Sequence, residues 1–254
     1  FAPQVSSGSN VASFFGSQAA GAQIDMRQVY ATVGGDWGQI LFGKELGVFQ
    51  RQNLLTDITL FGVGPNGLGR GTGLGRIGYG YLYTDFRGQF TYSTPAGKTS
   101  QFTFGVFEPI SFGPYDYGST PRFEAEFVIN PKFGESSNLS LFASGALQSG
   151  KDQDADESKT AMGVSGGARV TLGGLEVMGS GFFASGMGTV FMGDSYLGDG
   201  IVDQGVLGDG ELQDSYGFIV QAQYTLPSKK FSLGGSYGMN KSTDDASGLD
   251  VSQE

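Results

Sequence analysis

The feature that most constrains this chain is a two-residue alternation between an apolar face and a small, polar one. Successive side chains of a strand point to opposite sides, so residues i, i+2 and i+4 share a face. Over 214–226, Tyr216, Phe218, Val220, Ala222, Tyr224 and Leu226 share one face; Ser215, Gly217, Gln221, Gln223 and Thr225 share the other, which only Ile219 interrupts. Over 231–240, Phe231, Leu233, Tyr237 and Met239 oppose Ser232, Gly234, Ser236, Gly238 and Asn240. The pattern recurs at 86–93, 101–106, 122–129, 139–148, 159–171 and 175–184, and less regularly at 24–33 and 37–45. That makes ten predicted strands. Most run about 9 to 13 residues, the length that crosses a bilayer at a tilt of about 45°, whereas soluble strands run nearer about 5 or 6.

The connections carry a second signal. Short turns at 34–36, 95–99, 131–137, 173–174 and 227–229 alternate with longer loops at 46–85, 111–120, 150–158 and 186–213. Short turns at one end and long loops at the other is the asymmetry of outer-membrane barrels. A soluble sandwich would also alternate, but its outward face usually carries many Lys, Glu and Thr. Here that face is Gly, Ser, Gln and Asn with isolated charges. The expectation is an all-β, antiparallel up-and-down transmembrane β-barrel, one domain over 1–254. A long loop at 46–85 folds inward, and acidic outer loops lie at 150–158 and 186–213.

Composition agrees. Charged residues are 16 % of the chain and aromatic residues 13 %, against about 25 % charged in soluble domains. The 45 glycines follow no collagen period. No run of about 20 apolar residues is present to make a transmembrane helix. The chain has no cysteine, which excludes disulfides and thiolate metal sites. Its net charge of −10 argues against a nucleic-acid partner.

Chemistry-bearing motifs are weak. Gly163–Gly167 and Gly234–Gly238 both match G-x-S-x-G, but each falls mid-strand, and with no histidine in the chain no imidazole can activate either serine. Gly73-Leu-Gly75-Arg-Ile-Gly78 imitates a dinucleotide fingerprint without a βαβ context. Asp152, Asp154, Asp156 and Glu157 resemble a calcium loop, yet Glu157 stands where the turn glycine belongs. No catalytic, cofactor or metal site is expected. The informative polar residues are isolated charges opposite the apolar stripe: Arg87, Arg122, Glu124, Glu126, Lys159, Arg169 and Glu176. An Arg or Lys facing lipid at mid-depth costs about 2–4 kcal/mol, so these should line water. Lys44 and Asp57 join the candidate pore-lining set. Simple parity groups Lys44 with Ile40 and Phe42 unless a bulge shifts the register.

The segment from Arg27 through Tyr30, Gly34, Gly35, Trp37 and Phe42 to Lys44 resembles the strand–turn–strand pattern of the general porins of Gram-negative bacteria. In that family a long loop follows, folds into the lumen and narrows the pore, and a strand similar to Arg87-Gly-Gln-Phe-Thr-Tyr-Ser-Thr-Pro95 comes next. The resemblance covers roughly the first 110 residues. Lys44 stands where the family usually has arginine, and the loop lacks the acidic Pro-Glu-Phe-Gly-Gly motif of well-known members. The resemblance implies about 16–18 strands, so a chain showing ten is expected to be a fragment, with a complete ten-stranded barrel as the alternative architecture. It further implies a passive, trimeric porin in the outer membrane, in contact with lipid and lipopolysaccharide, admitting small hydrophilic solutes or ions. The alternative is a scaffold barrel enclosing a partner such as an electron-transfer cytochrome.

Overall fold

A computed structural model describes residues 26–60, 75–97, 99–115, 120–131, 134, 137–152, 154, 156–188, 205–206, 210–242 and 252–253. Eleven strands form one sheet in chain order, each antiparallel to the next. They are β1 (Val29–Gly35), β2 (Gly38–Leu46), β3 (Phe86–Ser93), β4 (Ser100–Phe107), β5 (Arg122–Ile129), β6 (Ser137–Asp152), β7 (Glu157–Leu172), β8 (Leu175–Ser185), β9 (Asp214–Thr225), β10 (Ser232–Ser242) and β11 (Ser252–Gln253). Among the described residues the one helix is α1 (Arg51–Thr56), inside the connection between β2 and β3. This is an up-and-down meander. All ten predicted strands are present, and β11 is additional.

Two boundaries differ from the sequence expectation. The first strand starts at Val29, with 26–28 irregular and 24–25 outside the described residues. The predicted loop at 150–158 is a tight hairpin, because pairing continues outward to Asp152 opposite Glu157. Ser149 and Thr160 bond across the strands at 2.8 Å, Lys151 pairs with Asp156, and Asp156 turns the chain with φ 53°. Acidic residues that read as an outer loop therefore form a strand tip. Each arm has 16 residues, roughly 53 Å at about 3.3 Å per residue, more than a hydrocarbon core of about 30 Å requires. Of the loop at 186–213, residues 189–204 and 207–209 lie outside the described residues.

Burial is inverted relative to a soluble sheet. The apolar face is the exposed one: Phe90, Phe104, Phe127, Leu141, Val164, Val177, Val220, Leu233 and Tyr237 are all open. On the other face Arg87, Gln89, Thr91, Thr103, Glu124, Glu126, Gln148, Ser180, Gln221 and Asn240 are covered. A water-facing sheet does the opposite, and an apolar surface of this extent marks contact with something other than water. The short-turn end also carries an aromatic pair, Trp37 stacked on Tyr92 at 6.2 Å, as expected for an interfacial girdle.

The covering material is the connection between β2 and β3. One buried cluster joins Leu54, Leu60, Ile77 and Tyr81 of that connection to Val128, Phe142, Met178 and Ile219 of β5, β6, β8 and β9. Those four wall residues are apolar side chains on a mainly polar face. Backbone approaches backbone at Gly238 of β10, where an added Cβ would strike the Tyr79 carbonyl oxygen. Gly238→Val should therefore destabilise the protein by roughly 1–3 kcal/mol through overpacking. Gly235→Val on the other face, where a Cβ meets nothing within 4 Å, should leave the urea unfolding midpoint in detergent unchanged.

Candidate functional site

Residues 48–60 cross the polar face from strand to strand, and wall side chains receive the loop backbone at each step. The Glu124 carboxylate on β5 accepts the Val48 and Phe49 N–H groups at 2.7 and 2.9 Å. On β6, Ser144 Oγ accepts the Gln50 N–H at 2.9 Å. Asn53 donates to Ser180 on β8 at 2.8 Å. Gln221 on β9 accepts from the Ile58 N–H at 3.2 Å and donates to the Thr56 carbonyl. Five strands are crossed in about ten residues, at about 4.8 Å per strand. Such short-range contacts require the segment to lie flat on the wall.

Residues 75–85 complete the return. Arg76 reaches Ser236 on β10, with Nε 3.0 Å from its hydroxyl and Nη2 on its carbonyl oxygen. Asn240 donates to the Tyr81 carbonyl at 3.2 Å. The two passes are stitched together by Gln50, whose Oε1 accepts the Leu82 N–H at 2.6 Å, and by Asp57. The Asp57 carboxylate accepts the Arg76 N–H at 2.7 Å, the Tyr81 hydroxyl at 2.8 Å and the Thr59 N–H at 2.8 Å. Burial, and then the neighbouring Asp57 carboxylate, push the Tyr81 phenol well above its usual value. A raised phenol stays a donor: its contribution is complete below pH about 10 and is lost only as pH rises through its higher folded value.

The candidate charges separate into groups. Arg122 and Glu124 pair at 2.8 Å with both side chains almost fully buried, and the Arg122 guanidinium lies 5.8 Å from the centre of the Phe107 ring. Arg87 is buried and pairs with Asp85 at 3.3 Å. Glu126 is buried and binds Arg51 of α1 at 2.5 Å. Glu124 and Glu126 hold the loop directly, Arg87 holds its last residue, Asp85, and Arg122 backs Glu124. Asp57 faces no basic wall; it closes the loop on itself. Arg169 and Glu176 remain partly open near the β7–β8 turn, 4.0 Å apart. Lys159 lies toward the opposite end, against Glu211 at 2.8 Å and Glu157 at 3.5 Å. Lys44 stands opposite Val29 and Gly88 in a register without a bulge. Alternation therefore keeps it in line with Ile40 and Phe42, and among the described residues it makes no ion pair.

Sequence reasoning missed the residues left open on the loop itself. Leu54 and Leu60 are buried against the wall, but Leu55 is 62 % exposed. Arg51, one helical turn earlier, keeps 24 % of its side chain open, and Gln52, Thr59 and Arg76 are half-buried. Phe61, next to Leu60 in the sequence, lies outside the described residues. The signal available in the sequence was the set of alternation violators, Val128, Phe142, Met178, Phe182 and Ile219, each of which sits under a loop segment.

Removing one partner of a buried ion pair costs about 3–5 kcal/mol, so Glu124→Ala should lower the unfolding midpoint strongly. Glu176→Ala, at a half-open pair, should cost under about 1 kcal/mol. Equal losses in the same urea titration would show that the loop is not anchored through Glu124.

Comparison with protein-family models and with curated proteins finds no match. Among solved structures, the outer membrane channel DcaP of Acinetobacter baumannii is similar over 90 % of this chain, with a TM-score of 0.58 and 20 % identity. The chain spans 59 % of the length of that protein. The likeness establishes the fold, an antiparallel up-and-down β-barrel meander.

Proposed function

We propose that this chain forms the wall and constriction of an outer-membrane porin, a water-filled channel for passive diffusion of small hydrophilic solutes or ions. The observation that carries the reading is the inverted sheet with a long loop docked flat on its polar side. An apolar exposed face suits lipid, and a backbone in lipid must satisfy its hydrogen bonds within the sheet. A polar face partly filled by the chain's own loop suits a lumen narrowed at one level. The surroundings implied are outer-membrane lipid and lipopolysaccharide in a Gram-negative cell, and the assembly proposed is a homotrimer.

A scaffold barrel enclosing a partner protein is less well supported, since residues 48–60 and 75–85 occupy the polar face over β5, β6, β8, β9 and β10. Catalysis forms no part of the proposal. Ser165 donates to the Gly181 carbonyl at 3.1 Å and the Ser236 hydroxyl accepts from Arg76, so both G-x-S-x-G serines are engaged in the wall.

In this reading the narrowest level is lined by Arg51, Gln52, Leu55 and Arg76, while Arg87, Arg122 and Glu124 act from beneath as anchors. Deleting residues 54–60 should raise single-channel conductance in planar bilayers. Arg51→Gln should shift reversal potentials toward cations, and Arg87→Gln should mainly cost stability. Unchanged conductance in the deletion would remove the loop from the pore. Trp37 is the single tryptophan, so its fluorescence in proteoliposomes should be quenched more by lipids brominated near the headgroup than by those brominated near the chain end. The reverse order would displace the proposed girdle.

A further inference from the structure

The β2–β3 connection is not alone on the polar face. Beyond β4 the chain turns back over β6, where the Gln148 side chain clasps Ile110 at both peptide groups, accepting its N–H at 2.9 Å and donating to its carbonyl. Phe112 and Tyr115 then close a small reverse turn, each N–H on the other's carbonyl at 3.1 Å, with rings 5.5 Å apart. From the opposite side the β8–β9 connection returns as a second segment. Gly186 N–H donates to the Gln213 carbonyl at 2.9 Å and Gln213 N–H to the Gly205 carbonyl at 2.7 Å. The two segments meet: Tyr115 donates to the Gly210 carbonyl at 2.8 Å, and Gly113 lies so close to Val206 that an added Cβ would sit 2.7 Å from its Cβ.

Together they bury Phe112, Tyr115 and Met187 with Phe49 and Leu82 of the constriction loop. The wall beneath is cut to fit. At Gly150 an added Cβ would fall 2.9 Å from Phe112 and Tyr115, and at Gly163 it would fall 2.7 Å from Phe49 and 2.9 Å from the Met187 sulfur. Glycine weakens a strand interior and is expected there where another chain segment approaches closely. A charged tie sits at the edge of this layer. Lys159 pairs with Glu211 of the second segment and with Glu157 of its own strand, and its ammonium lies 5.9 Å from the centre of the Tyr115 ring of the first. Glu211 is 68 % exposed, so the tie is accessible to solvent and salt.

We infer that residues 108–115 with 205–206 and 210–213 form a two-part lid over the long-loop end of the channel, latched through Lys159, and that releasing the latch opens the mouth above the constriction. The inference rests on the channel reading. Its anatomy suits a movable part. Apolar contact seats each half on the wall, whereas among the described residues the Tyr115–Gly210 hydrogen bond joins the halves and a solvent-accessible ion pair, Lys159 with Glu211, sits at their edge. Gly186, Gly188 and Gly205, with φ between 68° and 75°, sit where the second segment leaves and rejoins the sheet and can absorb backbone rotation.

The chain has no cysteine, so thiol probes report single sites. Ala161, 3 % exposed beneath the lid, is replaced by cysteine in the full-length protein and treated with a water-soluble thiosulfonate in proteoliposomes. Ala161→Cys should label slowly alone and several-fold faster together with Lys159→Glu, which sets three carboxylates side by side. Single-channel conductance of Lys159→Glu should rise several-fold. In a second variant, Lys159→Cys with Glu211→Cys, bridging by a reductant-cleavable bis-thiosulfonate should lower conductance, and reductant should restore it. Equal labelling with and without Lys159→Glu, or bridging without effect on conductance, overturns the lid. A protein whose labelling responds to Lys159→Glu but which never conducts would retain the lid and refute the channel.

Discussion

The structure depends on how a polar strand face is satisfied once it is taken out of bulk water. Glu124 shows the constraint most sharply. Its carboxylate is buried, and an unpaired buried charge is prohibitively costly; Arg122 on the same strand and two loop N–H groups answer it together. The same exchange is repeated across β6, β8 and β9 by Ser144, Ser180 and Gln221. Ser144 accepts the Gln50 N–H, Ser180 accepts from Asn53, and Gln221 both accepts from the Ile58 N–H and donates to the Thr56 carbonyl. Because the docking is made of many such reciprocal bonds, the loop has one register on the sheet.

This reciprocity explains the division of labour among the charges. Hydrogen bonds to charged groups contribute about 1.5–3 kcal/mol each, so the most strongly held residues are those under the loop. They are also the least available to a solute. In the proposed channel, Arg87, Arg122, Glu124 and Glu126 shape the constriction from beneath, while Arg51 and Leu55, on the open side of a helix of six residues, face the solute. Exposure separates the two roles where residue type cannot, since Arg51 and Arg122 carry the same side chain.

Much of the fold was legible in the sequence. Period-two alternation located all ten strands from β1 to β10, and the choice of small polar residues on one face set its orientation, because a sheet facing water buries such apolar residues as Phe90, Phe104, Val220 and Leu233. The hairpin of β6 and β7 was read too short. Its acidic tip resembles a loop in composition, whereas the cross-strand Ser149–Thr160 bond and the Lys151–Asp156 pair keep the ladder intact. The lumen-side roles were less legible, since parity names the side of the sheet on which a charge lies but not what covers it.

The sequence alone determined which residues share a face, because alternation is a local property of extended backbone and needs no partner. It also marked where the pattern fails: Val128, Phe142, Met178, Phe182 and Ile219 are apolar where polarity was due. Only the tertiary structure decided what those failures mean. The residues that meet them, among them Leu54, Leu60, Ile77, Tyr81 and Phe49, are distant in the chain. Asp57 was placed by sequence among the pore-lining residues and instead binds Arg76 and Tyr81, partners about 20 residues away. Contacts of that range depend on the path of the loop over the sheet, which the packing of the whole wall sets and no local pattern encodes.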